Sequence, residues 1–203
     1  MATRPSRSRP RLVIATLNRA KGRELHELLG DLAWEVSLLA DTPGATLPEE
    51  TGTTYEDNAL IKARAGLRAT GVTALGDDSG IEVDALDGGP GLYSARWGGH
   101  GLDDAGRNAL MLERLRGVPA ERRTARYRCV IAIVDPDGRF SVVQGTCEGV
   151  IAEAPRGTGG FGYDPIFFFP PLGATFGEVT AAMKHRVSHR GIAARAARAL
   201  LDR

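Results

Sequence analysis

The sequence predicts an α/β fold built on a mixed β-sheet. Strand-like and helix-like segments alternate in the first half of the chain, and a β-hairpin signal appears in the second half. Alternation favours parallel neighbouring strands, while a hairpin adds antiparallel ones. The 203 residues are enough for a sizeable core, and we find neither an internal repeat nor a linker between two units. We therefore expect residues 11–203 to form a single domain.

Hydrophobic periodicity and turn residues place the elements of the first half. A short apolar run favours a buried strand, and apolar residues three and four apart favour a helix. Thr53-x-x-Glu56 is a capping-box pattern, and the Asp-rich segment Gly76–Gly80 is typical of a turn at a strand end. The predicted strands are Leu12–Leu17, Val36–Ala40, Val72–Leu75 and Ile81–Leu86, and the predicted helices are Lys21–Leu29 and Thr53 to about Thr70.

The second half of the chain predicts a helix, a hairpin and a closing helix. Asp103–Leu115 has helical spacing, with Ala109, Leu112 and Leu115 on one stripe. Asp135–Gly138 is a turn sequence between two strand-like runs. The remaining predicted segments are hairpin strands over Tyr127–Val134 and Phe140–Thr146, a Gly-rich loop over Gly157–Pro165, and a helix over Ser188–Leu201 capped by Ser188.

Composition and charge limit the classes of function. The net charge of +1 requires neither nucleic acid nor a membrane surface as a partner, and the apolar runs are too short to span a bilayer. Cys129 and Cys147 fit no metal pattern and predict buried, reduced thiols in a cytoplasmic protein. Residues 1–10 lack the apolar segment of a secretory signal and predict a disordered basic tail, with contact to nucleic acid as the alternative.

The segment Thr16–Lys21 could bind a phosphate group. It lies between a predicted buried strand and a helix, and a helix N-terminus presents free N–H groups and partial positive charge. Lys21 could add a charge and Thr16 a hydroxyl group. The alternative is that Asn18 only caps the helix while Lys21 is solvated.

Carboxylates and a lysine suggest a site for a metal ion beside a phosphate. Glu49 and Glu50 stand in a Gly-bounded loop ahead of Lys62, and hard oxygen ligands near phosphate-binding lysines suit Mg²⁺. Asp77 and Asp78 are adjacent, and their mutual repulsion is relieved only by a nearby cation or donor. The alternatives are a solvated lysine and a plain Asp-rich turn.

Two motifs near the C-terminus could hold a flat base. Gly157–Pro165 contains G-x-G-x-x-G, but no strand leads into it and no helix follows, so it is not a dinucleotide fingerprint. Its two aromatic residues could stack on a base while Asp164 binds an edge. Lys184, His189 and Arg190 could donate to an anion or a base edge. Ordinary packing of these residues is the alternative.

The order of the motifs resembles that of the inosine triphosphate pyrophosphatase family, the dITP/XTP pyrophosphatases. The blocks are T-x-N-x-x-K, E-E-T-G-x-T-x-x-x-N-A-x-x-K-A, D-D-S-G, P-G-x-Y-S-A-R, G-T-G-G-F-G-Y-D-P-I-F and S-H-R-G, and they extend from about Leu12 to the C-terminus. The resemblance implies an elongated, twisted mixed sheet with flanking helices, two lobes around a central cleft, and a homodimer. It also implies Mg²⁺-dependent hydrolysis of ITP, dITP and XTP to monophosphate and pyrophosphate.

The resemblance also implies a role for each matching residue. Asp78 would accept a proton and, with Glu50, bind the metal, and Ser79 would touch the substrate. The triphosphate would be contacted by Thr16, Leu17, Asn18, Arg19, Ala20, Lys21 and Lys62. The nucleotide, mostly at its base, would be contacted by Phe161, Gly162, Tyr163, Asp164, Lys184, His189 and Arg190.

Two other functions remain open from the sequence. One is a nucleotide phosphatase of other specificity, and the other is a non-catalytic nucleotide sensor. Carboxylates gathered beside lysines argue against a pure RNA-binding protein, because they would repel the phosphates. Gly76 stands where the family commonly has alanine, and we expect it only to loosen the strand end.

Overall fold

The computed structural model describes residues 9–99 and 101–202. Within them the strands are β1 Arg11–Ile14, β2 Glu35–Leu38, β3 Thr73–Val83, β4 Thr124–Val134, β5 Phe140–Ile151, β6 Phe167–Phe169 and β7 Ala174–Thr175. The helices are α1 Arg19–Leu29, α2 Tyr55–Thr70, α3 Asp104–Arg114, α4 Ala181–Val187 and α5 His189–Leu201. All strands join one sheet in the order β2-β1-β3-β4-β5-β6-β7. The predicted α/β class with a mixed sheet is confirmed.

The sheet changes from parallel to antiparallel pairing at β3. β1 is parallel to β2 and β3, whereas every later pair is antiparallel. The last β1 residue paired with β3 is Ile14, which lies opposite Leu75, while β3 continues to Val83. Beyond Leu75, β3 therefore lies past the carboxyl end of β1, the edge at which α/β sheets commonly bind ligands.

The predicted turn at Gly76–Gly80 is wrong. This segment lies inside β3, and each of its residues is in register with β4. Consecutive side chains in a strand point to opposite faces of the sheet. The carboxylates of Asp77 and Asp78 are therefore on different faces, which reduces their mutual repulsion. Of the predicted strands, Thr73–Leu75 and Ile81–Val83 are parts of this one strand, whereas Asp84–Leu86 form a 3-10 helix.

Helix α2 begins one residue later than its capping pattern predicted. The Thr54 hydroxyl accepts from the Asp57 N–H at 3.1 Å, and the Asp57 carboxylate accepts from the Thr54 N–H at 3.2 Å. This is a capping box of the expected kind, but it uses Thr54 and Asp57 instead of Thr53 and Glu56. The predicted hairpin is confirmed with longer strands, and Ser188 caps α5 as expected.

The buried stripe of α3 was predicted in part incorrectly. Leu115, just after the helix, is buried as expected, but Ala109 is exposed, and Asn108 and Met111 are the buried residues within the helix. The hydrophobic periodicity of α3 does not show this buried face, because Asn108 is buried but polar and only apolar residues contribute to the pattern. The consequence is that the buried face of α3 was not recognised from the sequence.

Two hydrophobic clusters form the cores of two lobes. One cluster joins α1 and α5 to β1 and the adjoining parts of β3 and β4. The other joins α3 and β6 to the opposite ends of β3, β4 and β5. Helix α2 covers the other face of the sheet. A cavity lies between the two lobes, as the resemblance implied.

The N-terminal segment is described only from Arg9. The predicted tail therefore lies mostly outside the described residues. Pro10 is exposed, but its carbonyl accepts from the Glu35 N–H at 2.8 Å, so backbone pairing already begins there. Among the described residues, no helix is both long and apolar enough to cross a membrane.

Candidate active site

A cluster of charged side chains, called the acidic end below, is formed around Glu50, Asp77 and Asp78, and its neighbours Lys21 and Ser79 line the cavity. The ammonium of Lys62 lies between two of these carboxylates, 2.8 Å from Glu50 Oε1 and 3.3 Å from Asp78 Oδ1. Its side chain is only 7% exposed. Lys62 is therefore not the solvated lysine of the alternative interpretation, and it joins the two predicted metal ligands directly.

Two residues outside the predicted site set hold the acidic end in place. Asn58 Nδ2 donates to Asp78 Oδ2 at 3.2 Å, and Asn58 Oδ1 accepts from the Gly52 N–H at 2.9 Å. Arg96 Nη1 lies 3.4 Å from Glu50 Oε2. Asn58 shares a helix face with Lys62, and Arg96 ends the block P-G-x-Y-S-A-R. The sequence therefore contained a signal for both residues.

Gly76 does more than loosen the strand, so that expectation is wrong. A Cβ atom at Gly76 would collide with the backbone of Ala59 and Ala63 in α2 and would crowd the Cβ of Lys62. Gly76 and Asp78 are two residues apart and face the same side of the sheet. The missing side chain lets the α2 backbone approach β3 closely, which brings Lys62 to Asp78.

Asp77 faces the opposite side of the sheet from Asp78. It is 1% exposed, and neither carboxylate oxygen has a hydrogen-bond partner. Lys21 Nζ lies 3.6 Å away and Arg190 Nη2 lies 3.8 Å away. Desolvation acts to raise the pKa of Asp77, but Lys21, Lys62 and Arg190 outweigh it and hold that pKa below its usual range. Asp77 is thus a buried anion.

Asp78 differs from Asp77 in its titration. Burial raises the pKa of Asp78, and the neighbouring charge of Glu50 adds to the effect. Lys62 and Lys21 oppose it only in part. On Lys62, desolvation disfavours the charged form, but Asp77, Asp78 and Glu50 outweigh it and raise the pKa of the ammonium. A carboxylate with a raised pKa beside a charged lysine is a stronger proton acceptor than an ordinary Asp.

The segment Thr16–Lys21 contributes less to the cavity than the sequence predicted. Asn18 and Lys21 line the cavity, whereas the Thr16 hydroxyl is buried and accepts from the Asn18 N–H at 3.2 Å. Asn18 Oδ1 accepts from the N–H groups of Ala20 and Lys21 at 3.0 and 3.1 Å. The Asn18 side chain therefore caps the helix N-terminus, which is the first part of the alternative interpretation, while Asn18 itself also lines the cavity.

Two other members of that segment do not line the cavity. Leu17 is 46% exposed, and the Arg19 guanidinium pairs with Asp41 at 3.1 Å on the surface. Lys21, in contrast, has a side chain that is only 15% exposed, because it points toward Asp77. Lys21 is therefore the cation that α1 contributes to the acidic end.

The cavity itself contains a second group of side chains, called the aromatic end below, which is organised by a buried network of charges. Lys184 Nζ donates to Asp164 Oδ2 at 2.6 Å and to Glu24 Oε1 at 2.7 Å. Arg190 Nη1 donates to Glu24 Oε2 at 2.6 Å, and Arg190 Nη2 donates to the Ser79 hydroxyl at 3.0 Å. Glu24 was not predicted from the sequence. Its only signal is that it lies one helical turn after Lys21.

Aromatic rings surround this network. The ammonium of Lys184 lies 4.9 Å, and the guanidinium of Arg190 5.6 Å, from the ring centroid of Phe161, within reach of a cation–π interaction. His189 stacks on Tyr127 with centroids 4.4 Å apart. Desolvation and the nearby cations Arg190 and Lys184 lower the pKa of His189 well below its usual range. His189 is therefore neutral near pH 7, and it presents one N–H and one acceptor nitrogen.

Asp164 is fully engaged with protein donors. Besides Lys184, it accepts from the Phe161 N–H at 2.8 Å and from the Tyr127 hydroxyl at 3.3 Å. The Tyr163 hydroxyl donates to the Ser94 carbonyl at 2.8 Å. Asp164 is thus bound by donors from the Gly157–Pro165 loop and from its neighbours. Asp164 supports the aromatic end, and its oxygens are less free for a ligand than the sequence analysis supposed.

The cavity between the lobes has a volume of about 150 Å³ and reaches Asn18, Lys21 and Ser79 beside the acidic end, but Glu50, Lys62 and Asp78 are not among its lining residues. Ten predicted residues line it, namely Asn18, Lys21, Ser79, Phe161, Gly162, Tyr163, Asp164, Lys184, His189 and Arg190. No role was predicted for the other lining residues, which are Gly80, Ile81, Ser94, Ala95, Asp104, Arg107 and Tyr127. Ser94 and Ala95 belong to the block P-G-x-Y-S-A-R, whereas Asp104, Arg107 and Tyr127 lie outside every quoted motif, and only the folding of the chain brings these three to the cavity.

The residues that could hold a divalent cation lie at the acidic end. In residues 9–99 and 101–202, no three or more His, Cys, Asp or Glu side chains are grouped as a metal site. Glu50 and Asp78 nevertheless converge on the single ammonium of Lys62. Mg²⁺ is usually held by one or two carboxylates together with water and ligand phosphates, without a cage of protein ligands. The donor set of Glu50 and Asp78 fits Mg²⁺ in this way.

The chain belongs to the Ham1 family, whose model matches residues 12–200. It is 50% identical over 193 residues to a dITP/XTP pyrophosphatase of Desulforamulus reducens, covering 95% of this chain and 96% of that one. It is also 50% identical over 192 residues to a dITP/XTP pyrophosphatase of Thermus thermophilus, covering 95% of this chain and 90% of that one.

Solved structures show the same fold. A Ham1 protein from Coxiella burnetii superposes with a TM-score of 0.85 at 38% identity, covering 95% of this chain and 98% of the other. A nucleoside-triphosphatase, dITP/XTP pyrophosphatase, from Mycobacterium abscessus gives a TM-score of 0.73 at 44% identity, covering 95% of this chain and 100% of the other. The elongated mixed sheet is therefore the architecture of the family.

Proposed function

We propose that this protein hydrolyses the non-standard purine nucleoside triphosphates ITP, dITP and XTP to the monophosphate and pyrophosphate, with Mg²⁺ as cofactor. The observation that carries the proposal is the proximity of two groups of side chains. The cavity of aromatic rings and cations reaches Lys21 and Ser79, and Lys21 lies 3.6 Å from Asp77, next to the cluster of Asp78, Lys62 and Glu50. The dITP/XTP pyrophosphatase activity named for its relatives is the second support.

The acidic end supplies the reaction chemistry in this proposal. A water oxygen forms a bond to phosphorus, the anhydride bond between the α- and β-phosphates breaks, and pyrophosphate leaves. Asp78 accepts the proton of the attacking water, which its raised pKa favours. Lys21 and Lys62 offset the negative charge of the triphosphate. Mg²⁺ bound by Glu50 and Asp78 would further neutralise the phosphate oxygens.

The aromatic end supplies recognition of the base. Phe161 offers a ring for stacking, and the donors of His189 and Arg190 suit the 6-oxygen of hypoxanthine or xanthine. Adenine presents a 6-amino group instead, which would face those donors unpaired. A mispaired buried polar group costs about 1–3 kcal/mol, so one or two such mismatches discriminate strongly against ATP.

We further propose that the protein is a homodimer in the cytoplasm. The family resemblance supports the dimer, and the buried free thiols of Cys129 and Cys147 suit a reducing compartment. The mass of the purified protein in sedimentation equilibrium checks the dimer.

The deciding experiment is hydrolysis of a panel of ITP, dITP, XTP, ATP and GTP, with Mg²⁺ and with a chelator. Pyrophosphate and inorganic phosphate are measured separately. We expect pyrophosphate from ITP, dITP and XTP only when Mg²⁺ is present. Release of inorganic phosphate would indicate a phosphatase, and binding without turnover would indicate a sensor.

A further inference from the structure

Both backbone polar groups of Gly162 are bound by helix α3. The Gly162 N–H donates to Asp104 Oδ2 at 2.7 Å, and the Gly162 carbonyl accepts from Asn108 Nδ2 at 3.1 Å. Asp104 and Asn108 are four residues apart, and such residues lie on one face of a helix. One face of α3 thus holds a single glycine of the loop from both sides.

Gly162 occupies a conformation that depends on such support. Its φ is 62°, which lies in the left-handed region. Glycine adopts this region readily, but many other conformations are also open to it. Gly162 separates Phe161, which lines the cavity, from Tyr163, whose hydroxyl is tied to Ser94. The orientation of the Phe161 ring relative to the anchored Tyr163 is therefore set by the backbone angles of Gly162.

We propose that Asp104 and Asn108 are positioning residues for base binding, which act through Gly162 to hold Phe161 in place. This inference rests on the proposed function, in which a purine enters the aromatic end. Neither residue touches a reacting atom. Their effect is preorganisation, because a loop ordered before binding loses less conformational entropy when the base arrives.

The two positions differ in how well they can be tested. Asn108 is buried, so its replacement disturbs the core of its lobe. The Asp104 side chain is 57% exposed, and Asp103, not Asp104, caps the helix. Asp104→Ala therefore removes the acceptor for the Gly162 N–H while α3 keeps its cap. Asp104→Asn retains an acceptor oxygen and serves as the conservative variant.

The experiment compares a ligand that has a base with one that lacks it. Binding of IMP and of pyrophosphate is measured by calorimetry in the wild type, Asp104→Ala and Asp104→Asn. We expect Asp104→Ala to weaken IMP binding about two- to tenfold, as for the loss of one hydrogen bond, and to leave pyrophosphate binding unchanged. Asp104→Asn should recover most of the affinity. Glu113→Ala, an exposed change at the far end of α3, is the matched control.

Amide hydrogen exchange in the free protein provides a second readout. Exchange across residues 160–163 should be faster in Asp104→Ala than in the wild type or Glu113→Ala. Unchanged exchange, unchanged IMP affinity, or an equal loss of IMP and pyrophosphate binding would each overturn the positioning role. A wild type that binds no IMP would instead contradict the proposed function, and the exchange data would still decide whether α3 holds the loop.

Discussion

At the aromatic end of the cavity, Glu24, Asp164, Lys184 and Arg190 each make a hydrogen bond of 2.7 Å or shorter. At the acidic end, the buried oxygens of Asp77 have no hydrogen bond, and the contacts of Asp78 are longer than 3.0 Å. Short hydrogen bonds between charged groups hold the geometry of the aromatic end, whereas the longer contacts of Asp78 leave its carboxylate freer to exchange partners with a ligand, although Lys62 also binds Glu50 at 2.8 Å. The comparison suggests that the aromatic end is built for recognition and the acidic end for chemistry.

The largest expected effect tests the chemical role of the acidic end. Asp78→Asn removes a proton acceptor and a metal charge, and we expect kcat to fall by about 10²–10⁴-fold. Substrate binding should survive better, because Lys21 and Lys62 remain. Asp77→Asn, on the other face of β3, is the matched comparison and should retain more of kcat.

The measurement is kcat and KM for ITP in folded, purified variants. A folded Asp78→Asn enzyme that keeps more than about a tenth of the wild-type kcat would contradict the assignment of the base. Equal losses of kcat in Asp77→Asn and Asp78→Asn would show that the carboxylates on the two faces of β3 contribute equally to catalysis, which would contradict the assignment of Asp78 as the base.

The second effect tests recognition at the aromatic end. We expect the wild type to prefer ITP over ATP by about 10²–10⁴ in kcat/KM. Arg190→Ala would leave Glu24 with Lys184 as its remaining cation and would remove a cation from beside Asp77, and removing one partner of a buried pair costs about 3–5 kcal/mol. Arg190→Lys keeps the charge but loses the planar fork, so we expect selectivity to fall while the protein remains folded.

The check is kcat/KM for ITP, XTP, ATP and GTP in the wild type and in Arg190→Lys. Equal rates on ATP and ITP in the wild type would refute recognition of the base. Unchanged selectivity in Arg190→Lys would leave His189 as the remaining donor to the base.

The third effect concerns the pH dependence of the acidic end. In the proposed mechanism turnover requires the ionised form of Asp78, so we expect activity to be lost as the pH falls through the pKa of Asp78. Lys62 favours that ionised form and lowers the pKa. Its removal in Lys62→Met should therefore raise the pKa and move the acid limb of kcat to higher pH.

The comparison variant is Lys184→Met, which changes a cation at the aromatic end. It should raise KM while leaving the position of the acid limb close to that of the wild type. A limb that does not move in Lys62→Met, or that moves to lower pH, would contradict the coupling between Lys62 and Asp78.

The smallest effect concerns the N-terminal segment. Deletion of residues 1–9 should leave activity and Tm nearly unchanged, because the sequence predicts a disordered tail there and such a polar segment buries little apolar surface. Pro10 is kept, because its carbonyl pairs with Glu35. A large fall in kcat/KM or in Tm after this deletion would show that the segment contributes to one of the two ends.

The sequence by itself determined the features that depend on near neighbours. Hydrophobic runs identified β1, the hairpin and α5, and the order of the motifs identified the family. The cap at Ser188 was also readable, because its partner Gly191 is three residues away. The capping box was placed one residue too early, because Thr53 and Glu56 fit the same spacing as Thr54 and Asp57, which form it. The stripe of α3 was misplaced because the buried residue Asn108 is polar and interrupts the apolar pattern.

Only the tertiary structure decided which charges meet and on which face. Adjacent Asp77 and Asp78 separate because they lie in a continuous strand, which their sequence disfavoured. Glu24 binds Arg190 across 166 positions, and Asn108 binds Gly162 across 54. Contacts at such separations leave no periodic signal in the chain. They arise because burial of the two hydrophobic cores brings the elements together, and buried polar groups must then find partners there.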